Sequence, residues 1–129
     1  MRVYIDTELD KKLRRQNVSD RLLFALAQEV ARGLNDGELV ANLLYKKRIP
    51  AGGQGRRDGL RSIVSFIRGE TLFFIDVYSK NEVPKGQKEI PEWLLEAYKI
   101  TAGDIMSWTD EQIALSLEAQ EYREVKHDV

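Results

Sequence analysis

The sequence predicts an α+β protein: a small antiparallel or mixed sheet packed on two N-terminal helices, followed by a C-terminal helical extension. Three observations carry that class. Residues 7–34 hold two segments whose apolar side chains recur at helical spacing. Residues 61–68 and 71–80 are rich in Ile, Val and Phe and flank Gly69-Glu70, a hairpin pattern. From Pro91 onward helical punctuation returns, with a proline opening one helix and a Thr109–Gln112 capping pair opening another. A chain of 129 residues reads as one domain over 1–129, the extension taking about 90–129.

Taken in order, Val3 to Ile5 reads as a short strand, and Thr7 to about Gln16 as a helix with Leu9 and Leu13 one turn apart. Ser19 caps a second helix, with Asp20 favourable at its N-terminus. Leu22, Leu23, Leu26, Ala27, Val30, Ala31 and Leu34 give it an apolar stripe, and Asn35-Asp36-Gly37 ends it. Leu39 to Ile49 reads as one strand, apolar and then basic, and Pro50 to Leu60 as a glycine loop. That loop lacks the Gly-Lys-Ser/Thr of a Walker loop and the third glycine of a dinucleotide fingerprint. A helix from Pro91 to about Thr101 is closed by Gly103, and Trp93, Leu94, Tyr98, Trp108, Ile113 and Leu117 read as packing residues. The closing EYREVKHDV is compatible with an added strand or a frayed tail.

Charge is unevenly placed. Residues 1–44 are neutral; residues 45–88 carry ten Lys/Arg against four Asp/Glu, net +6; residues 89–129 carry three against ten, net −7. A basic centre in a chain of net charge −1 points to a polyanion-binding surface. No cysteine is present, which excludes disulfides and thiolate chemistry. The only histidine, His127, is three residues from the end, so a mechanism built on histidine is not expected. No cofactor or metal is called for. The absence of an apolar run of roughly 20 residues and the polar start MRVYIDTELDKK make a cytoplasmic protein the default.

The hairpin places the candidate site. A two-residue type II′ turn at Gly69-Glu70 would set Arg68 across from Thr71, Phe66 from Phe73, Val64 from Ile75, Ser62 from Val77 and Arg61 from Tyr78. Val64, Phe66, Phe73, Ile75 and Val77 then form a core face under the two N-terminal helices. The opposite, open face holds Arg61, Ile63, Ser65, Ile67, Leu72, Phe74, Asp76, Tyr78 and Lys80, with Lys80 one diagonal step from Arg61. Lys46 to Arg48 add alternate cations if their strand joins the sheet, and the loop brings Arg56 and Arg57 to the same rim. The plainer reading is a solvated hairpin end in which Arg61 and Lys80 pair with Asp76 and Glu82.

The run GQGRRDGLRSIVSFIRGETLFFIDVYSKNEV resembles the RelE/HigB superfamily of toxin–antitoxin toxins, with its basic-glycine stretch, apolar hairpin and Lys-Asn-Glu ending. LNDGELVANLLYKKRIPAGGQG is similar to the phage-associated branch of that group. The resemblance covers about residues 1–125 and is most specific over 45–82. It implies a RelE-like fold and a ribosome-dependent endoribonuclease that cuts mRNA by attack of the RNA 2′-hydroxyl on the adjacent phosphate. It implies as partners the ribosome, mRNA and a cognate antitoxin. By position it gives Arg61 to the scissile phosphate, Lys80 to the developing charge, and Arg56 and Arg57 to RNA binding; Lys46, Lys47 and Arg48 join the RNA-binding set from their own strand and Tyr78 joins the site by register. The chain departs from the pattern at Asp58-Gly59, where a second glycine is usual, at Leu60, commonly aromatic, and at Asn81, sometimes arginine. The general acid and base are left unassigned. Two other functions fit the residues: a ParE-like toxin that inhibits DNA gyrase, and a non-catalytic basic RNA- or protein-binding module.

Overall fold

The computed structural model describes residues 1–50, 59–67, 69–83, 85–86 and 88–126. Strand β1 (Arg2–Asp6) leads into helices α1 (Thr7–Arg14) and α2 (Asp20–Ala31). Strands β2 (Gly37–Val40), β3 (Leu44–Ile49), β4 (Leu60–Ile67) and β5 (Thr71–Ser79) follow, then a 3₁₀ turn over Lys80–Glu82. Helices α3 (Glu92–Met106) and α4 (Asp110–Glu118) and strand β6 (Tyr122–Glu124) complete the chain. The six strands form one mixed sheet in the order β2-β3-β4-β5-β1-β6. Only β1 and β5 run parallel; the other neighbours are antiparallel.

Local chemistry sets the boundaries. The Ser19 hydroxyl accepts from the Leu22 amide at 3.1 Å, and Thr109 and Gln112 complete a reciprocal capping box on α4. Helix α2 stops earlier than Asn35-Asp36-Gly37, at Gly33, whose φ of +86° is the left-handed conformation glycine adopts without strain. Leu39 to Ile49 is a hairpin rather than one strand, because Asn42 at φ +61° reverses the chain between β2 and β3. Gly103 lies inside α3, which runs on to Met106. Within the closing segment, β6 over Tyr122–Glu124 pairs antiparallel with β1.

The β4–β5 hairpin departs from a two-residue turn. Its last pair is Ile67 with Thr71, leaving three residues in the connection, and Gly69 takes φ +74°. A bulge at Ile75 then inserts one extra residue into β5, so Val64 faces Phe74 while Ile63 faces Asp76. The two shifts cancel beyond the bulge, and Arg61 still faces Tyr78. Between turn and bulge every β5 side chain is on the face opposite to the one expected.

Two packed layers result. Leu72, Phe74 and Val77 join Val3, Ile5, Val64 and the apolar stripes of α1 and α2 in the larger core. Phe73 instead packs on the other face, its ring 5.0 Å from Tyr4 and edge-on to Tyr122 and Trp108, with Ile105 and Ile113. Leu94, Tyr98, Trp108, Ile113 and Leu117 are packing residues, but Trp93 is 72% exposed. Leu94, Leu95, Tyr98 and Ala102 take the inward positions of α3, which turns Trp93 and Ile100 outward.

Candidate functional site

Register alone aligns the central cations. Arg48 on β3 faces Arg61 on β4, and Arg61 faces Tyr78 on β5, so one row crosses three strands. Alternation puts Lys46 on the same face, two residues from Arg48. Lys47 points the other way: its ammonium donates to Glu29 of α2 at 3.1 Å and to the Leu34 carbonyl at 2.8 Å, which buries it as a strut between sheet and helix. Lys80 is exposed on the 3₁₀ turn, just past the Leu60–Ser79 pair. Arg56, Arg57, Asp58 and the Asn81 side chain lie outside the described residues.

The face is not open, which corrects the expectation from the hairpin. Leu44, Ile63 and Ile75 make it partly apolar, and such a surface is costly to leave in water. Leu94, Leu95, Tyr98 and Ala102 of α3 cover it, together with Val83 and Ile90 from the residues before that helix. Arg61 is left only 4% exposed and Tyr78 9%. The register thus joins Arg61 and Tyr78 under the cover, while Arg48 and Lys80 stay outside it.

The charged and phenolic groups under the cover have partners, while the buried Ser65 hydroxyl has none among the described residues. The Arg61 guanidinium donates from Nη1 to the Gly59 carbonyl at 2.6 Å, and Asp76 accepts from the Tyr98 hydroxyl, so Arg61 does not form the pair with Asp76 that a solvated hairpin end would show. The Tyr78 hydroxyl donates to Glu89 at 2.9 Å, and Lys46 Nζ donates to the same Glu89 oxygen at 3.4 Å. Burial, and then the hydrogen bond to the Glu89 carboxylate, push the Tyr78 phenol far above its ordinary range, so it serves as a donor and not as a base. Burial acts on Glu89 in the opposite sense to its partners. The Tyr78 hydrogen bond and the charges of Lys46 and Arg61 outweigh it, and the carboxyl sits below its ordinary value. A cleft of about 440 Å³ opens beside this cluster, lined by Tyr78, Glu89, Asp76, Tyr98 and Lys88, with Trp93 also on its wall.

Sequence reasoning missed Glu89. The acidic block starts at this residue, and its position directly after the basic block is a signal, but nothing local says that it folds back onto β5. Among the described residues no group of three or more His, Cys, Asp or Glu side chains is arranged to hold a metal. Among them, too, no helix is long and apolar enough to cross a membrane.

The geometry defines a class: a small α+β protein whose mixed sheet packs helices on both faces and carries cations in register on one of them. The model of the RelE toxin of the RelE/RelB toxin–antitoxin system matches residues 1–125, and the chain belongs to this toxin family. It is therefore the toxin half of a toxin–antitoxin pair, with an antitoxin as its expected partner. No curated protein matches the chain.

Proposed function

We propose that the protein is a ribosome-dependent endoribonuclease that cuts mRNA and so stops translation. Ribonuclease activity is typical of the family. The single observation that carries the reading to this chain is the Arg48–Arg61–Tyr78 row, with Lys46 beside it and Lys80 at the strand end. Attack of a 2′-oxygen on a phosphodiester builds negative charge on the phosphate, and fixed cations stabilise it without reorganising. In this reading Lys46, Arg48 and Lys80 meet the RNA from the rim, where they are at least partly exposed. Arg61 acts from beneath them, its charge fixed by the Gly59 carbonyl. Tyr78 is a donor that holds the carboxylate next to Lys46. Arg56 and Arg57, outside the described residues, are read as RNA-binding from the resemblance alone, and the ribosome supplies in-line positioning of the RNA. Lys47 is left out of the RNA surface because Glu29 and Leu34 already hold it.

Mapping mRNA 5′ ends in a reconstituted translation reaction tests the reading. Wild type should produce new ends, and Arg61→Ala should lower their rate by roughly 10²–10³. Lys80→Ala, at an exposed position, and Lys46→Ala check that any loss is not a folding failure. The burial of Arg61 and Tyr78 favours a second reading, a gyrase-inhibiting toxin on the same fold. Intact mRNA together with blocked supercoiling would select it.

A further inference from the structure

Resting on the nuclease reading, we propose that Glu89 is the general base of the site, taking the 2′-hydroxyl proton of the RNA on its Oε1. The two carboxylate oxygens differ in their surroundings. Oε2 accepts from both the Tyr78 hydroxyl and Lys46 Nζ, at 2.9 and 3.4 Å. Among the described residues no hydrogen bond engages Oε1. One oxygen anchors the side chain and the other is left to react. The side chain is 30% exposed and that of Lys46 26%, so RNA reaches this pair more easily than Arg61. Glu89 also lines the cleft of about 440 Å³, which gives a nucleotide a place beside it.

Two other acids near the row are committed elsewhere. Asp76 accepts from Tyr98 and from the Val77 amide. Asp36 accepts from the Arg48 amide at 2.7 Å. Tyr78 keeps its proton. Lys46 from β3, Arg61 from β4 and Tyr78 from β5 act on Glu89 and keep it ionised, and Asp76, Glu82, Lys88 and Tyr98 line the same cleft. An incoming phosphate adds negative charge beside it and partly offsets the two cations, which raises its basicity when substrate is bound.

The step balances within the cluster. The 2′-O–H bond breaks, its proton goes to Glu89 Oε1, and the 2′-oxygen bonds to phosphorus. The bond from phosphorus to the 5′-oxygen breaks, and that oxygen takes a proton from the Lys46 ammonium. Glu89 then releases the proton on Oε1 to water and the Lys46 amine takes one up from water, which restores both groups. The products are a 2′,3′-cyclic phosphate and a 5′-hydroxyl end.

Glu89→Gln is the test, because the amide oxygen still accepts from Tyr78 and Lys46 and so keeps the cover in place. Single-turnover cleavage of ribosome-bound mRNA and binding of a 2′-deoxy RNA are read together. The proposal expects wild type to cleave, and E89Q to lose about 10²–10⁴-fold in rate with no loss of affinity for the deoxy probe. Wild-type rate should fall as the medium is acidified through the carboxyl range, and the residual E89Q rate should lack that fall. An E89Q rate equal to wild type overturns the role of Glu89 alone. An E89Q rate above wild type overturns it in favour of a carboxylate that blocks the phosphate position. If wild type leaves mRNA intact while still arresting growth, the nuclease reading fails first and this inference with it.

Discussion

The two faces of the sheet use the same strands for different ends. Towards α1 and α2 the strands present Val3, Ile5, Val64, Leu72, Phe74 and Val77, with the charged side chains Lys47 and Arg123 tied to helix carboxylates. Towards α3 they present Lys46, Arg48, Arg61, Asp76 and Tyr78 beside apolar residues such as Leu44, Ile63, Phe73 and Ile75. The first face is held by area removed from water, which needs shape but no particular partner. The second also buries apolar side chains but adds specific hydrogen bonds, Tyr98 to Asp76 and Tyr78 to Glu89, each of which needs its own partner in place. A face organised in this way is less forgiving of substitution and is also where chemistry can be done.

The comparison is broken most strongly at Phe74. It is fully buried on the apolar side, and Phe74→Ala should cost about 4 kcal/mol in denaturant unfolding. Next comes a polar joint at the edge of the same face. Arg123 of β6 donates two hydrogen bonds to Asp10 and two to Asp20, at 2.8–2.9 Å, tying the last strand to both N-terminal helices. Arg123→Ala should cost about 2 kcal/mol, since it removes four charge-assisted hydrogen bonds and leaves Asp10 with Arg14 at 3.3 Å and Asp20 with the Lys126 amide at 2.9 Å. The Arg123 hydrogen bonds hold the Asp20 carboxyl below its ordinary value, with burial opposing them. A lowered folded-state pKa gives stability that is present above the unfolded-state value and is lost as pH falls through the folded one. The melting difference between wild type and R123A should therefore shrink below the ordinary aspartate range. The smallest effect sharpens the contrast on the polar side. Tyr98→Phe removes a donor from Asp76 and should cost about 1–2 kcal/mol, with faster amide exchange along α3 than along α2.

Much of this was legible in the sequence, and the failures have physical causes. Ser19 and Thr109–Gln112 were read correctly because a cap is a local contact of three residues. The Arg61–Tyr78 pairing was reached through two errors that cancel. A three-residue connection and a bulge at Ile75 each shift the register by one, and neither has a distinctive residue pattern in so apolar a strand. Those same shifts exchanged Phe73 and Phe74 between the faces. The cover over Arg61 was missed because it depends on contacts between β4–β5 and residues 83–102, far apart in sequence. Lys47 shows the limit of counting charge: its neighbours in the KKR run share its composition, but alternation sends it alone to Glu29.

The central claim is that the cations aligned across β3, β4 and β5 act on RNA. The most direct measurement is the map of mRNA 5′ ends made with purified ribosomes, comparing wild type with Arg61→Ala and Lys46→Ala after each variant is shown to melt cooperatively. The account predicts discrete new ends with wild type and their loss, by roughly 10²–10³ in rate, in the folded variants. Cleavage by both variants at the wild-type rate would contradict it.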